Sequence, residues 1–161
     1  MRAYLPTQEF TDRIAALFAR TRPPRGIVHL RGDLGAGKST FARAMLRALG
    51  VEGAIRSPTY TLVERYPLRD GGDAVHLDLY RIGDPGELEF LGLDAGEGAL
   101  WLVEWPERGG RALPPADLDI ALAMEGDGRS LDAVAGTAVG DEWLAMMAGL
   151  TDLSAFVPPS R

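Results

Sequence analysis

The sequence predicts one α/β domain of three layers, built on a mixed sheet that is mostly parallel with some antiparallel strands. Segments with helical periodicity are interspersed with short apolar or alternating segments, as in α/β proteins. A glycine-rich loop lies between a buried strand and a helix. The length of 161 residues is that of a single domain. We therefore expect one domain over residues 1–153 and a loose C-terminal tail over residues 154–161.

The first half of the chain predicts two helices around one buried strand. Thr7 is placed to cap the first helix, and apolar side chains follow it at helical spacing until two prolines end the pattern. Gly50 is placed to end the second helix. The predicted elements are a helix to about residue 20, a strand over 26–31, a loop over 32–37 and a helix over 38–49.

The second half of the chain predicts mainly strands. One of them is continuously apolar, as a strand buried on both faces would be, and the strand before it alternates between apolar and polar side chains. The predicted strands cover residues 60–66, 74–80, 99–103, 118–124 and 130–135. A short helix is expected over residues 87–91, and a last helix carries Trp143, Met146, Met147 and Leu150 on one face.

Composition excludes several classes of function. The chain has 17 basic and 23 acidic residues, a net charge of −6, which argues against tight non-specific binding to nucleic acid. It has no cysteine, so disulfides, thiolate metal sites and cysteine nucleophiles are excluded. No apolar run is long enough to span a bilayer and the N-terminus has no signal-peptide pattern. We expect a soluble, cytoplasmic protein with no membrane partner.

The glycine-rich loop has the G-x-x-x-x-G-K-[ST] pattern of a phosphate loop. Its glycines allow a tight turn in which successive backbone N–H groups point into one concavity, and a helix N-terminus there also favours an anion. The pattern predicts binding of a nucleoside triphosphate, and hence a P-loop NTPase fold. The residues that we expect to bind the nucleotide are Asp33, Leu34, Gly35, Ala36, Gly37, Lys38, Ser39 and Thr40.

Two side chains of this loop have separate roles. Lys38 places a compact positive charge on the β- and γ-phosphates, and it is the only lysine in the chain, beside sixteen arginines. The Ser39 hydroxyl is expected to bind Mg²⁺. We therefore predict ATP or ADP together with Mg²⁺ as cofactors.

Two acidic residues at strand ends are candidates for the catalytic machinery. Phosphoryl transfer needs an acid that holds the metal and a group that orients the attacking oxygen. Glu104 follows five apolar residues, the Walker-B arrangement, and Asp78 lies late in the strand before it. Either acid can serve near the metal or near the water, and the sequence leaves the two roles unseparated.

A proline-containing loop and several flanking side chains complete the set of candidates. In the segment Ser-Pro-Thr-Tyr-Thr, the hydroxyl of Thr59 could reach Mg²⁺ or the γ-phosphate, and a plain turn is the alternative. Arg56 and Arg81 could meet phosphate charge. Trp105 could stack on a base, whereas Trp101 fits the core better.

Together these segments resemble the TsaE family, also called YjeE, over roughly residues 7–123. The phosphate loop is common to a whole superfamily, and the combination with the other motifs is much more specific. The matching segments are GDLGAGKST (32–40), SPTYTL (57–62), HLDLYR (76–81), ELEFLGL (87–93) and VEWPER (103–108).

The resemblance implies an ATPase that supports synthesis of threonylcarbamoyladenosine at position 37 of tRNA. It implies action on a complex of TsaD and TsaB, with tRNA involved only indirectly. Position by position, Lys38 would bind phosphate, and Ser39 and Glu104 would hold Mg²⁺. Asp78 would be the candidate for activating water, and Thr59 a switch-like ligand.

The chain departs from the family pattern in two places, and two other functions remain as alternatives. Ser39 stands where relatives often carry threonine, and Phe90 stands where they often carry an acid. The first alternative is a small-molecule kinase of the same superfamily, which would need an acceptor pocket and an arginine-bearing lid; residues 84–98 are short and acidic instead. The second is a nucleotide-gated binding module with negligible turnover.

Overall fold

A computed structural model of the chain describes residues 1–94 and 98–156. Its strands are β1 (Arg2–Leu5), β2 (Gly26–Arg31), β3 (Val63–Pro67), β4 (Asp73–Asp78), β5 (Leu100–Glu104), β6 (Leu118–Glu125) and β7 (Gly128–Ala135). Its α-helices are α1 (Gln8–Thr21), α2 (Lys38–Ala48) and α3 (Ala138–Ala148). Short 3-10 turns cover Pro85–Leu91, Pro106–Arg108, Gly110–Ala112 and Thr151–Phe156.

The seven strands form one mixed sheet in the order β1-β7-β6-β2-β5-β4-β3. The four central strands, β6, β2, β5 and β4, are parallel to one another. The outer strands pair antiparallel, β3 with β4 at one side and β7 with β6, then β1 with β7, at the other. This confirms the predicted α/β fold with a mixed sheet.

The two faces of the sheet bury different apolar clusters, because successive side chains of a strand point to opposite faces. The three helices share the larger cluster, to which β5 contributes Leu100 and Leu102. On the other face, Trp101 and Val103 of the same strand pack with Leu88 from the 3-10 turn Pro85–Leu91. Helices, sheet and 3-10 turns thus make up three layers.

Several element boundaries differ from those predicted. β1 was not expected, and β3 begins at Val63 because the Leu62 N–H donates to the Pro58 carbonyl, so the preceding residues form a turn. In α3, Trp143 and Met147 are buried, but Met146 is 58% exposed, so it does not share their face.

The chain beyond α3 continues as the 3-10 turn Thr151–Phe156, in which Phe156 is buried and packs edge-on against Phe10. Part of the segment predicted as a loose tail, residues 154–156, therefore belongs to this turn. The rest of that segment, residues 157–161, lies outside the described residues. The single domain predicted over residues 1–153 stays a prediction.

Candidate functional site

A pocket of about 400 Å³ opens at the edge of the sheet where the parallel strands β2, β4 and β5 end. The carboxyl ends of parallel strands are where α/β folds place their ligands. The phosphate loop, residues 32–39, follows β2 into this opening. The lining includes Lys38, Ser39, Thr59, Asp78, Glu104 and Trp105.

Glycine is required in the phosphate loop because the backbone turns through the left-handed region there. Gly32 has φ +142°, and a Cβ at that position would lie 2.3 Å from the Leu122 carbonyl oxygen. Gly37 has φ +108° and immediately precedes the first residue of α2. A side chain at either position would displace the loop, so these two glycines set the path that brings the helix N-terminus to the pocket.

Lys38 is the first residue of α2, and its side chain folds back over the loop. The ammonium donates to the carbonyl oxygens of Gly32 at 2.5 Å and Asp33 at 2.8 Å. It also lies 4.1 Å from the centroid of the Trp105 ring, a cation–π contact. Burial lowers the pKa of Lys38 below its ordinary value, and the Glu104 carboxylate is the largest influence opposing that shift.

Ser39 and Glu104 meet across the gap between the loop and β5. The Ser39 hydroxyl donates to Glu104 Oε1 at 2.6 Å. The other carboxylate oxygen, Oε2, lies 2.7 Å from Nε2 of His76 on β4. Both oxygens of this buried acid therefore have a protein partner. A hydroxyl beside a carboxylate is a donor set suited to Mg²⁺.

Asp78 connects the loop before β3 to the end of β4. Its Oδ2 accepts a hydrogen bond from the Thr59 hydroxyl at 3.1 Å, and the Ser57 and Thr59 hydroxyls lie 2.8 Å apart. Its Oδ1 accepts from the Tyr80 N–H at 3.0 Å. Because Asp78 pairs with Glu104 in the register of β4 and β5, the two acids emerge side by side.

An aromatic pair forms one wall of the pocket. Trp105 follows Glu104 with φ +56°, an uncommon conformation for a residue other than glycine. Its ring lies 4.9 Å from that of Tyr80, and the Arg108 guanidinium lies over both rings. Trp101, by contrast, is in the core of the opposite face.

The part of the chain that carries the pocket residues matches a known protein family. The family model described as threonylcarbamoyl adenosine biosynthesis protein TsaE matches residues 5–131. The chain belongs to the TsaE family. This is the family expected from the sequence motifs, and it associates the chain with threonylcarbamoyladenosine biosynthesis on tRNA.

Individual TsaE relatives align over most of the chain. The tRNA threonylcarbamoyladenosine biosynthesis protein TsaE of Haemophilus influenzae is 39% identical over 144 residues, which cover 85% of this chain and 90% of that protein. The TsaE protein of Bacillus subtilis is 38% identical over 84% of each chain. The crystal structure of Bacillus subtilis YdiB superposes with a TM-score of 0.74 at 27% identity, covering 92% of this chain and 93% of that one.

Most of the residues predicted for this TsaE site lie together at the pocket. Beyond those already named, Leu34, Gly35, Gly37 and Thr40 also line it. Asp33 and Ala36 do not line the pocket, but their backbone carbonyls contact residues that do. The Asp33 carbonyl accepts a hydrogen bond from Lys38, and the Ala36 carbonyl accepts one from Arg129. Of the two candidate arginines, Arg81 lines the pocket, whereas Arg56 is exposed and lies outside the lining.

Three residues at this site were not predicted from the sequence: His76, Tyr80 and Arg129. The sequence assigned His76 no role at the site, and it is buried against Glu104. Tyr80 lines the pocket and its ring contacts that of Trp105. Arg129, at the start of β7, donates to the Ala36 carbonyl at 2.9 Å and lines the pocket. The His76 and Arg129 contacts join residues 28 and 93 positions apart, so local spacing along the chain does not signal them.

Two features are absent from the part of the chain that the structure describes: a membrane-spanning helix and a side-chain cluster that could hold a metal ion by itself. Among the described residues, no helix is long and apolar enough to cross a membrane. Within residues 1–94 and 98–156, no cluster of three or more acidic, histidine or cysteine side chains could hold a metal ion unaided. A metal at the Ser39–Glu104 pair would therefore need oxygen ligands from a nucleotide or from water.

Proposed function

We propose that the chain binds Mg²⁺ and ATP and hydrolyses ATP to ADP and phosphate, as an accessory ATPase of tRNA threonylcarbamoyladenosine biosynthesis. The observation that carries this proposal is the Ser39–Glu104 hydrogen bond of 2.6 Å beside the Lys38 ammonium. It joins the hydroxyl of the phosphate loop to a strand-end acid, a pairing suited to a metal-bound triphosphate.

The residues fit a magnesium ion. Ser39 and Glu104 would hold Mg²⁺ through a hydroxyl and a carboxylate oxygen, and phosphate oxygens and water would complete its shell, as this ion prefers. When bound, the metal would neutralise charge on the β- and γ-phosphates. Lys38 would add its own charge on leaving the loop carbonyls to which it donates.

Asp78 and Thr59 are proposed to act on the side of the attacking water. The Asp78 carboxylate can accept a proton or orient a water molecule, and the Thr59 hydroxyl holds one of its oxygens. Arg81 lines the same pocket, stacks on the Tyr60 ring at 4.6 Å and forms no ion pair with a described residue. It is available to meet charge that develops on the γ-phosphate.

The proposed partner is the complex of TsaD and TsaB, with tRNA involved only through that complex. The net charge of −6 makes direct, tight binding to tRNA phosphates unfavourable, whereas a protein partner has no such requirement. Hydrolysis by the isolated chain is expected to be slow. Binding of the partner complex would then stimulate turnover.

The deciding experiment is release of phosphate from ATP with and without the TsaD–TsaB pair. We expect the rate to rise on addition of the pair, and Lys38→Ala, which loses the phosphate-binding charge, to show neither nucleotide binding nor stimulation. Arg56→Ala is a matched control for a cation outside the pocket and should behave as the natural chain. A rate that the pair leaves unchanged would contradict the proposed partnership.

The same assay tests the kinase alternative. Transfer of labelled γ-phosphate to a small metabolite, rather than to water, would replace hydrolysis by kinase activity. Tight nucleotide binding with no turnover, even with the pair present, would favour a nucleotide-gated binding module. Unchanged affinity of Lys38→Ala for a non-hydrolysable ATP analogue would contradict the interpretation of residues 32–39 as a phosphate-binding loop.

A further inference from the structure

His76 is a fully buried polar side chain that the proposed hydrolysis does not use. It lies in β4, two residues before Asp78 and therefore on the same face of the sheet. Its register partner in β5 is Leu102, so its ring reaches diagonally along the sheet to Glu104. The contact of 2.7 Å joins two side chains that are 0% and 2% exposed.

The hydrogen-bond partners of the ring define what His76 contributes. Nε2 faces Glu104 Oε2, and Nδ1 has no hydrogen-bond partner among the described residues. An ionised carboxylate can only accept, so with Glu104 ionised the proton of the ring lies on Nε2, which donates to Oε2. The contact with Glu104 is thus the only hydrogen bond that the described residues offer the His76 ring.

The carboxylate of Glu104 is held from both sides. Oε2 is bound by His76, and Oε1 is bound by the Ser39 hydroxyl. Fixing Oε2 stops the carboxylate from rotating about its last bond, and leaves Oε1 directed at the hydroxyl that would share a metal with it. Partners of this kind orient metal ligands in many proteins.

We infer that His76 is a positioning residue for Glu104: its Nε2–H holds Oε2 so that Oε1 is presented with Ser39 to the metal. This rests on the proposed magnesium site. Loss of the donor would leave a buried carboxylate oxygen unpaired, and Glu104 would then turn or recruit water. Metal affinity would fall, whereas contacts of the nucleotide with the phosphate loop would not change.

The test compares His76→Gln with His76→Met. The two replacements have similar size and flexibility, but only glutamine carries an amide N–H that can donate to Glu104. His29→Met is the matched control, because His29 is the other histidine of the chain and does not line the pocket. Thermal unfolding of each variant establishes that it is folded at the temperature used.

The readout is the affinity for ADP measured by calorimetry in Mg²⁺ and again in a chelator. The ratio of the two affinities reports how strongly the metal supports nucleotide binding. We expect His76→Met to lower this ratio about tenfold and His76→Gln to lower it clearly less, since partners of metal ligands contribute about 10–100-fold to metal affinity. The affinity in chelator should stay that of the natural chain in both variants.

Three results would overturn the inference. The first is a ratio of ADP affinities in His76→Met equal to that of the natural chain, and the second is an equal fall of this ratio in His76→Met and His76→Gln. The third is a loss of ADP affinity in chelator as large as the loss in Mg²⁺. Glu104→Ala separates this from failure of the proposed function. If Glu104→Ala removes the Mg²⁺ dependence and His76→Met keeps it, only the positioning role fails. If the natural chain shows no Mg²⁺ dependence, or Glu104→Ala retains it, the magnesium site itself is refuted.

Two further measurements keep the inference testable if His76→Met does not fold. In a Glu104→Ala background, His76→Gln should cause no further change in the ratio, because the carboxylate through which His76 acts is gone. In the natural chain, the NMR chemical shifts of the His76 ring nitrogens should show a proton on Nε2. A proton on Nδ1 alone would refute donation from His76 to Glu104. Two histidines make that assignment simple.

Discussion

Lys38 already has partners that a phosphate would have to replace. Its ammonium donates to two carbonyl oxygens of its own loop and lies over the Trp105 ring. A triphosphate offers a stronger, charge-assisted interaction to the same ammonium. A planar guanidinium would fit poorly between two carbonyls and two phosphates, which is a physical reason for a lysine in a chain that otherwise uses arginine.

The lowered pKa of Lys38 gives a prediction about its reactivity. Because burial favours the neutral amine, the pH at which Lys38 becomes half neutral should lie below its ordinary value of 10.5. Reductive methylation followed by peptide mass spectrometry should detect this, since Lys38 is the only lysine in the sequence. ATP with Mg²⁺ should slow the reaction at Lys38, and adenosine, which has no phosphates, should not. Equal rates with and without ATP would contradict phosphate binding by Lys38.

At the scale of an element, the loop before β3 places Thr59 at the pocket. The loop that carries it is joined to β4 at two points, through the Thr59 hydroxyl and through the Asp78 N–H, which donates to the Leu62 carbonyl at 3.1 Å. Leu62 has φ +64°, so the loop turns sharply before β3 begins. These contacts place a hydroxyl beside an acid at the pocket, which a plain turn would not do.

We expect Thr59→Val to slow ATP turnover while leaving affinity for ADP unchanged. Valine keeps the shape of threonine but removes a hydrogen bond worth about 0.5–1.5 kcal/mol, so the rate should fall about 2- to 13-fold. Thr59→Ser keeps the hydroxyl and should retain most of the turnover rate of the natural chain. Thr61→Val is the control within the loop, because the Thr61 hydroxyl donates to Glu64 and not to Asp78. Parallel losses in Thr59→Val and Thr61→Val would indicate a general effect on the loop.

Elements that depend on local chemistry were predictable from the sequence. β2 and the phosphate loop follow from an apolar run, three glycines and one lysine within a short segment, and the structure has β2 at the predicted bounds. β1 was missed because its partner is β7, about 130 residues away, and nothing local marks it as a strand. The roles of His76 and Arg129 likewise arise only when distant strands meet.

At the scale of the whole molecule, the phosphate loop and the Trp143 side chain of α3 lie at opposite ends of β2. Trp143 of α3 is 1% exposed, donates from Nε1 to the Phe18 carbonyl at 3.1 Å, and packs edge-on against the Phe18 ring. A Cβ on Gly26 would lie 2.7 Å from the Trp143 ring. Gly26 begins β2 and the phosphate loop follows its end, about 16 Å away at the usual rise per residue.

This separation predicts that stability and nucleotide binding can be changed independently. Trp143→Ala should lower the free energy of unfolding by about 3–5 kcal/mol, because it removes a large buried ring and leaves a cavity. Trp143→Phe, which keeps an aromatic ring but loses the Nε1–H donor, should cost less. Affinity for ADP, measured at a temperature at which each variant is folded, should equal that of the natural chain. A fall in affinity without unfolding would show instead that α3 supports the phosphate loop through the sheet.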